Sequence, residues 1–282
     1  MTQPPVRIGV FDSGFGGLTV LRALLEQLPA AEFCYLGDSA RLPYGSKSRE
    51  TVARYAVESA RLLENDGSQY LVIACNTASA LALDAIRESV QVPVLGVIET
   101  GADSAAAVSV SRDVLVLATD ATVQSHAYGA ACAERGMRAL EQACPLLVPL
   151  IEEGWTSANQ DPERVAVTRR VLQLYLEEAA GRAADAGMTP DTLLLGCTHY
   201  PLLRDMLDLL APANIRILDS AQTTARRVQR ELGAPAAATS SASATSRRCR
   251  FLATDSVEKF QSLGSRFLGQ PIREVEHIDL GG

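Results

Sequence analysis

Two cysteines end similar apolar segments of the chain, and thiols in such positions can act as acids or bases. Cys75 lies in LVIACNT (71–77) and Cys197 in LLLGCTH (193–199); each follows an apolar run and a small residue and precedes polar side chains. The carboxyl end of a buried parallel strand is where α/β proteins bind ligands, and a helix beginning there would favour the thiolate. The alternatives are small buried side chains without chemistry and a chance similarity between buried strands.

His199 stands two residues after the second of these cysteines. It could tune the thiol, bind a carboxylate or serve as a general acid. The sequence C-x-H could also belong to a metal site, but no other ligand pair has suitable spacing, so we expect no metal. Neither His126 nor His277 has comparable neighbours, and the other four cysteines (34, 132, 144 and 249) are expected to be structural.

A glycine-rich loop follows the first apolar run, in IGVFDSGFGG (8–17). The backbone N–H groups of such a strand-turn-helix could bind an anion, but the spacing fits neither a Walker A loop nor a dinucleotide fingerprint. The alternative is a tight turn in which Asp12 or Ser13 caps a helix. The polar loop GDSARLPYG (37–45) follows another apolar run and is interpreted, taken alone, as a simple turn.

Of the chemistries that use cysteine, a two-base proton transfer is the one that employs both strand-end thiols. A cysteine hydrolase needs one thiol, a histidine and an oxyanion hole, which leaves the second thiol idle. A redox pair would place both thiols in one short motif. A racemase needs one thiolate to remove an α-proton and one thiol to return a proton from the opposite face. Because an unperturbed thiol has a pKa of about 8.5, a modest downward shift would populate both forms.

Short apolar runs alternate with longer segments of helical period, which indicates parallel sheets buried on both faces and an α/β fold. The predicted strands are 8–11, 33–36, 71–74, 92–97, 114–118, 146–150, 193–196, 215–218 and 251–253. The predicted helices are 18–28, 50–64, 78–89, 162–184 and 257–268. The similar cysteine segments further predict two related α/β lobes. The Ala/Ser/Thr-rich segment 234–246 is interpreted as a surface loop or linker.

The composition limits the function further. The 282 residues are 47% hydrophobic and carry a net charge of −7 with a pI near 5.1, which argues against a nucleic-acid partner. No apolar run reaches the roughly 18 residues that span a bilayer, and the N-terminus lacks a signal-peptide pattern, so we expect a cytoplasmic protein with free thiols. Lys47 and Lys259 are the only lysines, which disfavours a pyridoxal enzyme.

Four motifs resemble those of the glutamate racemases: DSGFGGL (12–18), GDSARLPYG (37–45), ACNTASA (74–80) and GCTHYPL (196–202). They follow the order of that family, and the match spans nearly the whole chain. The resemblance implies two α/β lobes related by pseudo-symmetry, formed by 1–97 plus 213–282 and by 98–212, with the active site in the cleft between them. It implies an isomerase that interconverts L- and D-glutamate without a cofactor, supplies D-glutamate for peptidoglycan and can form a homodimer. From the composition we expect no nucleic-acid or membrane partner.

The resemblance also assigns roles to individual residues. It implies that Cys75, assisted by Asp12, acts on the D-enantiomer, and that Cys197 acts on the L-enantiomer with the assistance of His199 and Glu152. The residues expected to contact substrate are Asp12, Ser13, Tyr44, Gly45, Asn76, Thr77, Thr198 and His199, with Thr119 and Thr122 as less distinctive matches. The alternatives are a racemase of the same superfamily acting on aspartate or another α-substituted acid, and an amino-acid-binding protein without catalysis.

Overall fold

A computed structural model describes residues 5–156, 161–234 and 248–280 of the chain. The chain forms two compact units, one of residues 1–97 with 221–282 and one of residues 98–220. Each unit is an α/β structure with its own parallel sheet. The predicted α/β class with parallel sheets is thereby confirmed.

The elements are numbered along the chain within the described residues. The strands are β1 Arg7–Asp12, β2 Glu32–Gly37, β3 Tyr70–Ile73, β4 Val94–Gly96, β5 Asp113–Ala118, β6 Arg138–Ala143, β7 Thr192–Gly196, β8 Arg216–Asp219, β9 Cys249–Ala253 and β10 Glu276–His277. The helices are α1 Leu18–Gln27, α2 Arg49–Asn65, α3 Asn76–Leu81, α4 Leu83–Ser89, α5 Val97–Val108, α6 Asp120–Ser125, α7 Ala127–Ala133, α8 Leu147–Glu152, α9 Pro162–Asp185, α10 Arg204–Leu210, α11 Ala221–Glu231 and α12 Val257–Leu268. Short 3-10 turns lie at Ser39–Arg41, Tyr44–Ser46 and Tyr200–Leu203.

The sheet of the first unit has the order β10-β9-β2-β1-β3-β4, and the neighbouring strands among the described residues are parallel. β1 lies inside the sheet, with Phe11 opposite Leu36 of β2 and Ile73 of β3. These three strands are almost entirely buried, as expected for parallel strands with continuous apolar sequences. The chain places β2 on one side of β1 and β3 on the other. The switch in strand order, where sheets of this kind bind ligands, therefore lies between β1 and β3.

The sheet of the second unit has the order β6-β5-β7-β8 within the described residues, again with parallel neighbours. This order repeats that of β2-β1-β3-β4 in the first unit. Ala118 at the end of β5 lies opposite Gly196 at the end of β7, and Cys197 follows directly. The second cysteine therefore stands beside the switch point of its own sheet, as Cys75 does in the first.

Side-chain caps mark the first residues of two of the helices. The Ser48 side chain accepts the N–H of Thr51 and caps α2, and the Asp161 side chain caps α9 in front of a proline at its first position. In the first unit α1 packs against α11 and α12, and Phe15 contacts Phe260 of α12 edge to face with ring centroids 5.7 Å apart. In the part of the chain that the structure describes, no helix is long and apolar enough to cross a membrane.

The predicted strand 146–150 is wrong, because this segment is helix α8. Leu147 and Ile151 are fully buried while Leu146 is 55% exposed, so the run buries positions four apart on one helical face. A short apolar run carries too little periodicity to distinguish the two structures. The prediction lacks β6 and β10, which both lie at the edges of their sheets within the described residues; β6 has the polar sequence RALEQA, and β10 has only two residues.

One predicted helix and one predicted lobe boundary also differ from the structure. The sequence predicts one helix over 78–89, whereas the chain breaks at Ala82, with φ −129° and ψ −2°, into α3 and α4. The sequence places 213–220 in the first lobe, whereas β8 pairs with β7 and brings Ile217 opposite Leu193, so this strand belongs to the second unit. Of the Ala/Ser/Thr-rich segment 234–246, residues 235–246 lie outside the described residues.

Candidate active site

Asp12 is the last residue of β1 and is 1% exposed. Its Oδ2 accepts the N–H of Gly14 at 2.9 Å, which fixes the carboxylate against the turn that follows the strand. Gly17 lies so close that a Cβ there would stand 2.5 Å from Asp12 Cβ and 2.9 Å from Ala74 Cβ. The glycine-rich sequence therefore lets the start of α1 approach a buried carboxylate, which is a packing role rather than a phosphate loop.

Cys75 follows β3 directly, beside the end of β1, and is 5% exposed. Its Sγ lies 3.4 Å from Ser13 Oγ and accepts the N–H of Ala78 at 3.4 Å, so the sulfur caps α3. Burial, followed by the negative charge of Asp12, raises the pKa of this thiol to about 12, although the hydrogen bonds from Ser13 and Ala78 lower it. The structure brings Asp12, Ser13 and Cys75 together at the ends of β1 and β3.

The direction of this pKa shift corrects an expectation. The sequence predicts a helix N-terminus that lowers the pKa of the thiol, and Cys75 does cap α3, but desolvation dominates and raises the pKa. The sequence also predicts a helix that begins after Cys197, but a 3-10 turn at Tyr200–Leu203 follows that cysteine instead.

Tyr44 and Gly45 lie in a 3-10 turn that packs against α3. The Tyr44 side chain is 1% exposed, and its ring centroid is 6.2 Å from that of Phe11. Its hydroxyl donates a hydrogen bond to Asp38 Oδ2. Asn76 and Thr77, the first two residues of α3, are also buried. These four predicted contact residues therefore lie on two segments that pack together beside Cys75.

In the second unit one imidazole joins a thiol to a carboxylate. Cys197 Sγ lies 3.8 Å from His199 Nδ1, and His199 Nε2 lies 3.2 Å from Glu152 Oε1. The cysteine and the histidine are 7% and 6% exposed, and Glu152 is the last residue of α8. With Nε2–H donated to the carboxylate, Nδ1 faces the sulfur. The order carboxylate, imidazole and thiol is the one used to activate cysteine nucleophiles and bases.

The pKa of His199 follows from these contacts. Burial favours the neutral imidazole, but the hydrogen bonds to Cys197 and Glu152 favour the cation more strongly and raise the pKa to about 10. The imidazolium is therefore the main form at neutral pH. A positive charge beside Cys197 Sγ stabilises negative charge on that sulfur.

Three threonines complete the predicted residues of the second unit. Thr198 lies between the cysteine and the histidine and is 7% exposed. Thr119 follows β5, next to the end of β7, and its Oγ1 lies 3.0 Å from Oγ1 of the fully buried Thr122. Thr119 and Thr122 thus lie at the same edge of the sheet as Cys197.

Sequence reasoning missed two residues that organise the first unit's site. Asp38 is fully buried and accepts hydrogen bonds from Tyr44, Arg41 and Thr254. Asp38 lies within the motif GDSARLPYG, and its position in a loop after a strand could have identified it from the sequence. Thr254 has no local signal, because its partner is 216 residues away. Among the described residues, no group of three or more His, Cys, Asp or Glu side chains could hold a metal ion.

The family model described as Asp/Glu/Hydantoin racemase matches residues 8–228. A glutamate racemase of Koribacter versatilis is 50% identical over 299 residues, covering 99% of this chain and 99% of that protein. The crystal structure of a glutamate racemase isoform of Bacillus anthracis has a TM-score of 0.83 at 34% identity, and that of the Francisella tularensis glutamate racemase in complex with D-glutamate has a TM-score of 0.81 at 30% identity. Each structural match covers 99% of both chains.

Proposed function

This chain belongs to the Asp/Glu/hydantoin racemase family and is an amino-acid racemase, and we propose that it interconverts L- and D-glutamate by proton transfer between two thiols and Cα. The observation that carries the proposal is the position of the two cysteines. Each follows the equivalent strand of its sheet, β3 or β7, beside the switch in strand order. The two thiols have different polar neighbours, with Asp12 and Ser13 beside Cys75 and His199 beside Cys197. The thiols perform the acid–base chemistry, so the proposed reaction uses no cofactor.

The first step from L-glutamate takes place at Cys197. The His199 imidazolium, 3.8 Å from Sγ, stabilises the thiolate, and Glu152 holds the ring in that orientation. The thiolate takes the proton from Cα, and the electron pair of the C–H bond moves into the α-carboxylate to give an enediolate-like carbanion. Cys197 is then a thiol.

The second step takes place at Cys75, on the opposite face of the carbanion. With a pKa of about 12 this thiol is protonated at neutral pH and has a proton to donate. Its transfer to Cα gives D-glutamate and leaves a thiolate, which Ser13 Oγ and the N–H of Ala78 stabilise at 3.4 Å. Asp12 disfavours this thiolate and makes it a stronger base, which assists removal of the proton from D-glutamate in the reverse reaction.

The remaining polar residues are proposed to bind a substrate with two carboxylates and one ammonium group. The proposed contacts are Ser13, Tyr44, Gly45, Asn76, Thr77, Thr198 and His199, with Asp12 close to the ammonium group. Hydroxyl, amide and backbone groups can donate to carboxylates without a buried arginine. Since the Tyr44 hydroxyl donates to Asp38, we propose that Tyr44 and Gly45 contribute backbone groups and the shape of their turn. The complex of the Francisella tularensis relative with D-glutamate supports this substrate class.

We further propose that the D-glutamate supplies peptidoglycan synthesis in the cytoplasm. This role rests on relatives named glutamate racemase, two of which are 50% and 41% identical and each cover 99% of this chain. Peptidoglycan synthesis uses the D-enantiomer, which an amino-acid racemase of this kind makes from L-glutamate.

The test follows the α-proton of L-glutamate by NMR in deuterated water, with circular dichroism recorded in parallel and no cofactor added. We expect the α-proton signal and the optical signal to disappear together, because inversion at Cα delivers a solvent-derived deuteron. The same assay with L-aspartate serves as the specificity control. Turnover of aspartate but not glutamate would assign the chain to the other substrate, and loss of neither signal would contradict the proposal.

A further inference from the structure

Asp38 is the centre of a buried hydrogen-bond network in the first unit. Its Oδ2 accepts Arg41 Nε–H at 2.8 Å and the Tyr44 hydroxyl. Its Oδ1 accepts the Thr254 hydroxyl at 2.9 Å. The carboxylate has no exposed surface, so each of these donors replaces water that the folded chain excludes. The orientation of Asp38, and through it that of Tyr44, depends on all of them.

Thr254 comes from the segment that follows β9, outside the region 8–228 that the family model matches. The side chain is 8% exposed. Its Oγ1 donates to Asp38 and also accepts the N–H of Ala40 at 2.9 Å, so a single hydroxyl joins the carboxylate to the backbone of the loop. A residue with a donor and an acceptor in one small group is needed here, and valine, which has the same shape, offers neither.

The backbone around Thr254 is fixed to the same loop. The Thr254 N–H donates to the carbonyl of Gly37, and the N–H of Asp255 donates to Ser39 Oγ at 3.0 Å. His277 of β10 donates from Nε2 to the Thr254 carbonyl at 3.1 Å. Thr254 is thus held from both sides and does not depend on Asp38 for its position.

We propose that Thr254 is a positioning residue for the substrate-binding turn at Tyr44 and Gly45, acting through Asp38. The inference rests on the proposed function, which assigns that turn to glutamate binding. Without the Thr254 hydroxyl, the buried Oδ1 of Asp38 and the N–H of Ala40 each lose a partner, and the carboxylate turns to recover one. The Tyr44 hydroxyl follows the carboxylate, and its turn shifts against α3, which begins directly after Cys75.

The test compares Thr254→Val, Thr254→Ser and a matched control, Thr192→Val. Thr192 is fully buried and donates to the carboxylate of Asp191 at 2.9 Å, but it lies at the start of β7, away from the strand end that carries Cys197. Thr192→Val therefore removes a similar hydrogen bond without touching the turn. Thr254→Ser keeps the hydroxyl and should behave like the wild type.

Two readouts are measured on the full chain. By hydrogen exchange with mass spectrometry, Thr254→Val should speed exchange in peptides covering 38–46, whereas Thr192→Val should not. In the racemase assay, Thr254→Val should raise KM for both glutamate enantiomers roughly 10-fold, which is the effect of losing one hydrogen bond to a charged group. The value of kcat should change little, because substrate binding is weakened equally in the ground state and in the transition state.

The result that overturns the inference is an unchanged KM in Thr254→Val, or an equal rise in Thr192→Val or Thr254→Ser. Adding Thr254→Val to Tyr44→Phe should raise KM little beyond Tyr44→Phe alone, because both changes disrupt one pathway; additive effects would also contradict it. If wild-type protein does not racemise glutamate, the proposed function fails, and the exchange data still decide whether Thr254 holds the turn.

Discussion

His199 Nε2 lies 3.2 Å from Glu152 Oε1, a contact across 47 residues between the end of α8 and the segment after β7. The other ring nitrogen faces Cys197 Sγ at 3.8 Å. Glu152 therefore acts on the thiol through the imidazole. This arrangement predicts that the carboxylate affects one half of a reversible proton transfer.

Glu152→Gln should slow the proton transfer at Cys197 and leave that at Cys75 intact. Because enantiomers have equal free energies, kcat/KM must fall equally in both directions. The selective slowing of the transfer at Cys197 should appear in the primary isotope effects. The isotope effect should rise for L-glutamate deuterated at Cα but not for D-glutamate deuterated at Cα. Steady-state kinetics with the two labelled substrates measure this.

The matched control is Glu153→Gln, since Glu153 is the next residue and is exposed. It should leave both isotope effects at the wild-type values. Equal changes in the two isotope effects of Glu152→Gln would contradict the assignment of Glu152 to the Cys197 side.

The raised pKa of His199 predicts a pH-dependent contribution to stability. Folding raises the pKa from its ordinary 6.5 to about 10, so the folded protein binds more protons between these values. The stabilisation is fully present below pH 6.5 and is lost as the pH rises through about 10. The free energy of unfolding should therefore fall more steeply over this range in the wild type than in His199→Gln, by at most about 1.4 kcal/mol per pH unit.

Urea unfolding at a series of pH values measures that difference. Cys34 and Cys75 also ionise at alkaline pH, but burial raises the pKa of each to about 12, above the range in which His199 loses its proton. Parallel curves for the wild type and His199→Gln would show that the imidazole is not held as a cation.

Cys75→Ser and Cys197→Ser should separate the two halves of the reaction. Each should lower racemisation by about 10²- to 10⁴-fold, the usual range for the loss of an acid–base group. In deuterated water, Cys75→Ser should still label L-glutamate at Cα, because Cys197 can remove a proton and return a deuteron to the same face. Cys197→Ser should label only D-glutamate.

NMR of each enantiomer measures this pattern. Cys34→Ser is the control, because Cys34 is buried in the same unit as Cys75 and takes no part in the proposed reaction. It should retain racemisation even where stability falls. Labelling of both enantiomers by either active-site variant would mean that one base serves both faces.

Gly17→Ala tests the close packing at Asp12. A Cβ there would lie 2.5 Å from Asp12 Cβ, so we expect the free energy of unfolding to fall by about 1–3 kcal/mol, as for other overpacked sites. Activity should fall as well, because the shift displaces the carboxylate beside Cys75. Chemical denaturation and the racemase assay measure the two effects.

Gly181→Ala is the matched control for that change. Gly181 lies inside α9, and a Cβ there meets no atom within 4 Å. Alanine in the middle of a helix should stabilise by roughly 0.5–1 kcal/mol and leave the activity unchanged. A Gly17→Ala variant as stable as the wild type would show that α1 can move away from Asp12 at little cost.

The sequence by itself determined the class of fold and the positions of the two cysteines. Buried parallel strands are apolar on both faces, so the runs before Cys75 and Cys197 were recognisable without tertiary information. The motifs around Asp12 and His199 are local, and their spacing is fixed by the chain. The alternation of strands and helices then placed these residues at strand ends.

Tertiary structure decided the contacts between distant segments and the balance of burial against charge. Glu152 ends a helix rather than a strand, and Thr254 meets Asp38 across 216 residues; neither follows from local periodicity. The upward pKa shift of Cys75 depends on how completely the surrounding chain excludes water and on the nearby Asp12. Local sequence encodes periodicity, whereas desolvation and long-range pairing exist only once the chain has packed.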